Sequence, residues 1–157
     1  AKVYFRALGR LVPEEFSFSR RSRRPPLDAF NAMLSLGYTL LMYDIYTALS
    51  NEGLHPYFGF LHALKNRHPA LASDLMEEWR AVLVDSMVLA LVQHHEIKSE
   101  HFAPPSDDGE GVSSRARGAA SSCAPMRRSF GRSISTSRAS IRIATALRSR
   151  RGSTHRR

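Results

Sequence analysis

PLDAFNAMLSLGYTLLMYDIYTALSNEG, from Pro26 to Gly53, is the stretch that decides the fold class. Asp28 has the short acceptor side chain that closes off the first backbone N–H groups of a helix. Behind it Phe30, Met33, Leu34, Leu41, Ile45 and Leu49 recur with helical spacing, which predicts a long helix over 29–50 with a broad apolar face. Asn51-Glu52-Gly53 supplies the stop, because glycine adopts the left-handed conformation that ends a helix. Pro25-Pro26 holds the preceding chain extended and delays the helix start. Gly37 and Tyr38, inside the helix, mark close packing against a neighbour.

Working outward, residues 54–69 read as a loop with a short extended stretch at Tyr57–Leu61. A second helical region is expected over 70–96, apolar on most sides from Val82 to Val92, as in the central element of a helical bundle. At the other end Val3, Phe5, Leu8 and Leu11 fall near one face, so residues 1–12 are expected to be helical. Residues 13–26 are irregular. The fold class is all-α, with residues 1–100 mainly helical and no internal repeat.

The charge is divided sharply along the chain. Residues 1–112 carry 11 Lys and Arg against 14 Asp and Glu, a net of −3, whereas 113–157 carry 12 Arg, no Lys and no acid, a net of +12. The overall +9 therefore describes the tail and says little about the helical part. After a polar loop at 104–111, Ser and Arg dominate without a sustained apolar period. Residues 113–157 are expected to be disordered on composition. One cysteine, Cys123, excludes an internal disulfide and argues against a cysteine-based zinc site. No apolar run approaches the ~18 residues of a membrane span. The opening Ala1-Lys2-Val3-Tyr4-Phe5 has no initiator Met and does not read as a signal peptide. The expectation is a cytoplasmic fragment of a longer protein.

The candidate chemistry lies in GFLHALKNRHPALASDLMEEWR, Gly59–Arg80. Asp74 and Glu77 are three residues apart, and Asp74 and Glu78 four apart, so all three share one side of a helix. Hard oxygen ligands at that spacing, with the His62 imidazole delivered from the preceding loop, suit Mg²⁺ or Mn²⁺. Such an ion polarises a phosphodiester and activates a water or hydroxyl nucleophile. The spacing alone also fits a plainer reading, in which carboxylates near a helix start favour the dipole and the histidine is a surface group. His55, His68, His94 and His95 add nothing to the metal case; neighbouring His94 and His95 diverge on a helix and make a poor chelate. Arg20, Arg21, Arg23, Arg24, Lys65, Arg67 and Arg80 could neutralise phosphates. Tyr43 and Tyr46, beside Asp44, read as helix packing rather than a base-stacking platform.

Taken in order, Arg23–Leu49 (RRPPLDAFNAMLSLGYTLLMYDIYTAL), Gly53–His62 (GLHPYFGFLH) and Leu71–Val88 (LASDLMEEWRAVLVDSMV) do more than any residue alone. Together they resemble the helical catalytic domain of the CRISPR-associated endonuclease/integrase of the adaptation module. The resemblance covers about residues 1–112. It implies a homodimer joined to a small partner subunit, inserting short pieces of foreign DNA into the CRISPR array by metal-assisted strand transfer. It also implies His62 and Glu77 as ligands of Mg²⁺ or Mn²⁺ and Asp74 as the neighbouring catalytic acid; of the basic groups, Arg23, Arg24, Lys65, Arg67 and Arg80 are the candidates for DNA binding on charge alone.

Two departures accompany the resemblance. The family's third ligand is a glutamate in a pattern of Glu-Gly, two or three small residues, a basic residue, any residue, then Tyr-Phe. AKVYF is the end of that pattern, so the glutamate falls before Ala1, and the family's N-terminal β-rich domain lies upstream as well. The second departure is the tail. Read back one nucleotide, codons compatible with Ser113–Arg128 spell FLSREGRRLFLRAYE, which resembles what the family carries there. A frameshift near Val112 therefore accounts for an Arg/Ser/Ala tail with neither lysine nor acid. The expectation is a truncated, inactive integrase with a partial catalytic domain at 1–112 and an out-of-frame tail at 113–157. Two alternatives stand beside it: a nucleic-acid-binding protein acting through its Arg-rich tail without catalysis, and a purely structural helical dimerisation piece.

Overall fold

A helix begins where backbone donors can be satisfied without a preceding turn, and Asp28 does this at the predicted place. Its Oδ1 accepts the Asn31 N–H at 2.7 Å, opening a helix over Ala29–Asn51. At the other end Gly53 takes φ +70°. The Gly53 N–H donates to the Ser50 carbonyl at 3.1 Å and the Leu54 N–H to the Leu49 carbonyl at 2.9 Å. This paired closure satisfies carbonyls that the helix leaves open, and it needs a residue that tolerates positive φ.

The computed structural model describes residues 2–63, 66–103 and 112–114, together with positions 128 and 131. In chain order the helices are α1 (Lys2–Gly9), α2 (Ala29–Asn51), α3 (Ala70–Arg80) and α4 (Ser86–Gln93), with 3₁₀ turns at Glu14–Phe16 and Ser99–His101. Among the described residues the strands are two short pieces, β1 (Phe102–Ala103) and β2 (Ser113–Ser114), paired antiparallel. The all-α class holds. No helix among the described residues is long and apolar enough to cross a membrane.

Three expectations change in detail. The region expected as one helix over 70–96 ends at Gln93 and is interrupted by a π-helical segment over Ala81–Asp85. A π segment inserts an extra residue into the turn and rotates the faces of the helix beyond it. Helix α1 ends at Gly9, so Leu11 falls beyond it. Val3 and Leu11 stay exposed while Leu8 alone of the expected apolar face is buried and Phe5 is half-buried. Tyr57–Leu61 forms turns and bends rather than an extended stretch.

The core sits between α2 and the α3–π–α4 arm. Phe30, Met33, Leu34, Leu41, Ile45 and Leu49 from α2 meet Val84, Met87, Val88, Leu91 and Val92, all buried. Phe16 and Phe18 close the end over Phe30, the Phe18 and Phe30 rings meeting edge to face at 4.8 Å. Burying such side chains is the main favourable term in folding. Val112 is buried too, and its N–H donates to the Pro26 carbonyl at 2.9 Å. The tail expected to be disordered lies almost wholly outside the described residues.

Candidate functional site

The loop after α2 owes its shape to one carboxylate. Asp74, on the second turn of α3, reaches back across it: Oδ2 accepts the N–H groups of Phe60 (2.6 Å) and Leu61 (3.0 Å), and Oδ1 accepts the His62 N–H (3.0 Å). Oδ1 also lies 2.6 Å from His62 Nδ1. These backbone donors, led by Leu61, hold the Asp74 carboxyl well below the usual carboxylate range against the opposing effect of burial, with the His62 ring adding to them. Its side chain is 7% exposed and that of His62 is 40% exposed. An ionised carboxylate on Nδ1 makes that nitrogen the donor, so His62 Nε2 keeps its lone pair for a proton or a cation.

The close approach of loop and helix demands glycine at 59. A Cβ there would lie 2.7 Å from both the Ala70 carbonyl carbon and Asp74 Oδ2. Pro56 completes the junction, its carbonyl accepting the Leu71 N–H at 2.9 Å.

His62 opens onto a groove of about 700 Å³ between the basic segment before α2, the middle of α2, and α3. Glu77, Arg23, Arg24, Arg67 and Arg80 line the same groove. Asp74 does not line it and stands behind His62. Lys65 lies outside the described residues. Glu77 is ion-paired with Arg80, Oε2 to NH2 2.7 Å, so a cation taking the Glu77 carboxylate would compete with that arginine.

Among the described residues no group of three His, Cys, Asp or Glu side chains is placed to hold a metal ion. The donors available in the groove are His62 Nε2 and the Glu77 carboxylate, a nitrogen and an oxygen acceptable to a hard divalent ion.

Sequence reasoning missed two features of the groove. His68 lines it, its ring 5.9 Å from that of His62 and its Nε2 3.1 Å from Ser73 Oγ. Tyr43 and Tyr46, read as helix packing, both line the groove; Tyr43 is 67% exposed, while Tyr46 is partly buried and meets Tyr57, also in the lining, edge to face at 6.1 Å. The outward angle of Tyr43 on α2 was available from helical spacing, since it falls between core positions 41 and 45. His94 and His95, beyond α4, are exposed and do not line the groove.

Behind the groove a second buried carboxylate, Asp85, accepts the Tyr38 hydroxyl at 2.5 Å and the Tyr4 hydroxyl at 2.7 Å. Burial, reinforced by these hydrogen bonds, pushes Tyr4 up to about 12 and Tyr38 higher still. Tyr38 therefore stays a neutral phenol whose proton is committed to Asp85, which makes it a poor nucleophile.

Fold and groove together define an all-helical domain with an oriented imidazole and a carboxylate in an arginine-lined groove, an arrangement suited to a polyanionic ligand. The sequence profile of the family described as CRISPR associated protein Cas1 matches residues 1–119, and the chain belongs to that family. The CRISPR-associated endonuclease Cas1 of Mycobacterium tuberculosis (strain CDC 1551 / Oshkosh) is 52% identical over 109 residues, covering 69% of this chain and 32% of that relative. The chain thus spans about a third of the length of such relatives. Among solved structures, a Cas6-RT-Cas1–Cas2 complex includes a chain 35% identical with a TM-score of 0.69, covering 85% of this chain and 14% of that one. A casposase bound to integration product is 29% identical with a TM-score of 0.68, covering 87% of this chain and 36% of that one.

Proposed function

We propose that this chain carries the helical part of a DNA-cleaving and strand-joining centre that inserts new spacers into a CRISPR array. The observation that carries the reading is the Asp74–His62 pair, which leaves His62 Nε2 available on the wall of an arginine-lined groove. In this reading His62 and Glu77 hold Mg²⁺ or Mn²⁺, and Asp74 orients the imidazole from behind. The bound ion supplies charge neutralisation at a phosphodiester and lowers the pKa of an attacking water or hydroxyl. Arg23, Arg24, Lys65 and Arg67 take backbone phosphates, and Arg80 moves between Glu77 and DNA. Membership of the Cas1 family supports the reading, as does the likeness to a casposase bound to integration product. The likeness to a Cas6-RT-Cas1–Cas2 complex supports a partner subunit, and a homodimer joined to a small partner belongs to the same reading.

The third ligand of the family pattern is a glutamate upstream of Ala1. With His62 and Glu77 alone an ion keeps more of its water and is less well oriented than with that third ligand. Residues 1–112 form the catalytic part and 113–157 the out-of-frame tail.

A chain extended upstream by the family's glutamate pattern, with the downstream frame restored, tests this beside the 157-residue chain. The extended chain is expected to cleave or join DNA only with added Mg²⁺ or Mn²⁺, and His62→Ala or Glu77→Ala is expected to abolish it. Activity of the 157-residue chain that survives either substitution overturns the assignment.

A further inference from the structure

The five arginines that line the groove are not equivalent. Arg23 and Arg24 are exposed and make no salt bridge to a described residue. Arg21, in the same segment, is half-buried and heavily committed. Its NH1 donates to Asn31 Oδ1 at 2.8 Å and to the Ser22 carbonyl, and its NH2 to Ser35 Oγ at 3.0 Å. Its guanidinium carbon lies 5.4 Å from the centre of the Tyr38 ring, whose hydroxyl donates to Asp85.

Asn31 continues the grip. Fully buried on the first turn of α2, it accepts the Ser22 N–H on Oδ1 at 3.0 Å and donates from Nδ2 to the Arg20 carbonyl at 2.8 Å. Its Nδ2 also meets Asp28 Oδ2 at 2.6 Å. The backbone of Arg20–Ser22 is therefore stitched to α2 on both sides of Arg21. Arg21 Nε is buried without a partner among the described residues, so most of this guanidinium is turned into the protein.

We propose that Arg21 is a positioning residue, whose planar fork clamps the Arg20–Arg24 segment to α2 so that Arg23 and Arg24 face the groove and take DNA phosphates. This rests on the DNA reading given above. The work is geometric: a guanidinium offers several donors in fixed directions, whereas a lysine ammonium supplies the same charge without the fork. Charge and fork can therefore be separated by substitution.

The test compares four full-length chains on a labelled DNA duplex across a salt series: unaltered, Arg21→Lys, Arg23→Ala with Arg24→Ala, and all three changes together. The twelve arginines of 113–157 are common to all four, so only differences are read. Removing two phosphate contacts lowers the slope of log affinity against log salt by about 2. Arg21→Lys is expected to lower it equally, and the triple change to add nothing. Amide exchange at Ser22, whose N–H is held by Asn31 Oδ1, and at Leu27, whose N–H is held by Ser22 Oγ, is expected to quicken in Arg21→Lys. Parental affinity and slope in Arg21→Lys overturn the proposal, as does a loss that simply adds to that of the Arg23/Arg24 change. An Arg23/Arg24 change without effect sinks the DNA reading of the groove, and this proposal with it. If circular dichroism shows Arg21→Lys unfolded, Ser35→Ala removes one arm of the clamp: an intermediate fall in slope supports the proposal and parental binding overturns it.

Discussion

Asp74 Oδ1 stands 2.6 Å from His62 Nδ1 while the same side chain accepts the backbone N–H groups of residues 60, 61 and 62. One carboxylate thus fixes both a loop and the ring at its end. Asparagine keeps the shape but turns one oxygen into a donor, which faces either a backbone N–H or the imidazole. Asp74→Asn is expected to speed amide exchange at residues 60–62 while leaving the centre of α2 unchanged. Unaltered exchange in the loop would mean that Asp74 does not organise it.

Gly59→Ala attacks the same junction from the loop side. The added Cβ meets the α3 backbone and Asp74 at 2.7 Å, and the backbone atom cannot swing away as a flexible side chain can. Overpacking of this kind costs about 1–3 kcal/mol. A lowered urea midpoint with unchanged slope is expected, together with loosened exchange at 60–62. An unchanged midpoint would contradict the close approach of loop and helix.

The Tyr4–Asp85–Tyr38 cluster is expected to make stability fall in alkali. Both phenols are raised in the folded protein, Tyr4 to about 12 and Tyr38 beyond, against about 10 in the unfolded chain. A raised folded value means that the contribution is fully present below the unfolded pKa and is lost as pH climbs through the folded one. Unfolding midpoints measured from neutral pH upward are expected to decline above about 10. Tyr38→Phe is expected to be less stable near neutrality, because Asp85 loses a donor, and to show a flatter alkaline decline. A decline as steep as the parent's would place the titration elsewhere.

Helix α2 was legible because its signals are local. A capping aspartate, six apolar residues in helical period and a glycine stop act within a few residues of where they stand, and the helix ends one residue from its predicted end. The π segment was not legible. It ends at Asp85, buried against two tyrosines distant in sequence, whereas 70–96 reads as one continuous apolar period. The loop at 57–61 misled for a related reason. Tyr57, Phe58, Phe60 and Leu61 read as a short extended stretch, yet the N–H groups of Phe60 and Leu61 find Asp74, and the side chains of Phe58, Phe60 and Leu61 stay in solvent. His62, Asp74 and Glu77 were legible as candidates from spacing and resemblance. Their separate placement, with Asp74 behind the ring and Glu77 paired with Arg80, arises from contacts that only the folded chain makes.

The most direct test of the account is where Mn²⁺ goes. Paramagnetic broadening of the seven histidine side-chain signals reports proximity to the ion residue by residue, without requiring catalysis. His62 is expected to broaden first, with His68 next because its ring lies 5.9 Å away, while His94 and His95 stay sharp. Glu77→Ala is expected to weaken the effect, and Asp74→Asn to weaken it roughly 10–100-fold in apparent affinity through the loss of ring orientation. Broadening that begins at His94 or His95, or that is indifferent to Glu77 and Asp74, would contradict the assignment of His62 and Glu77 as the metal-binding pair.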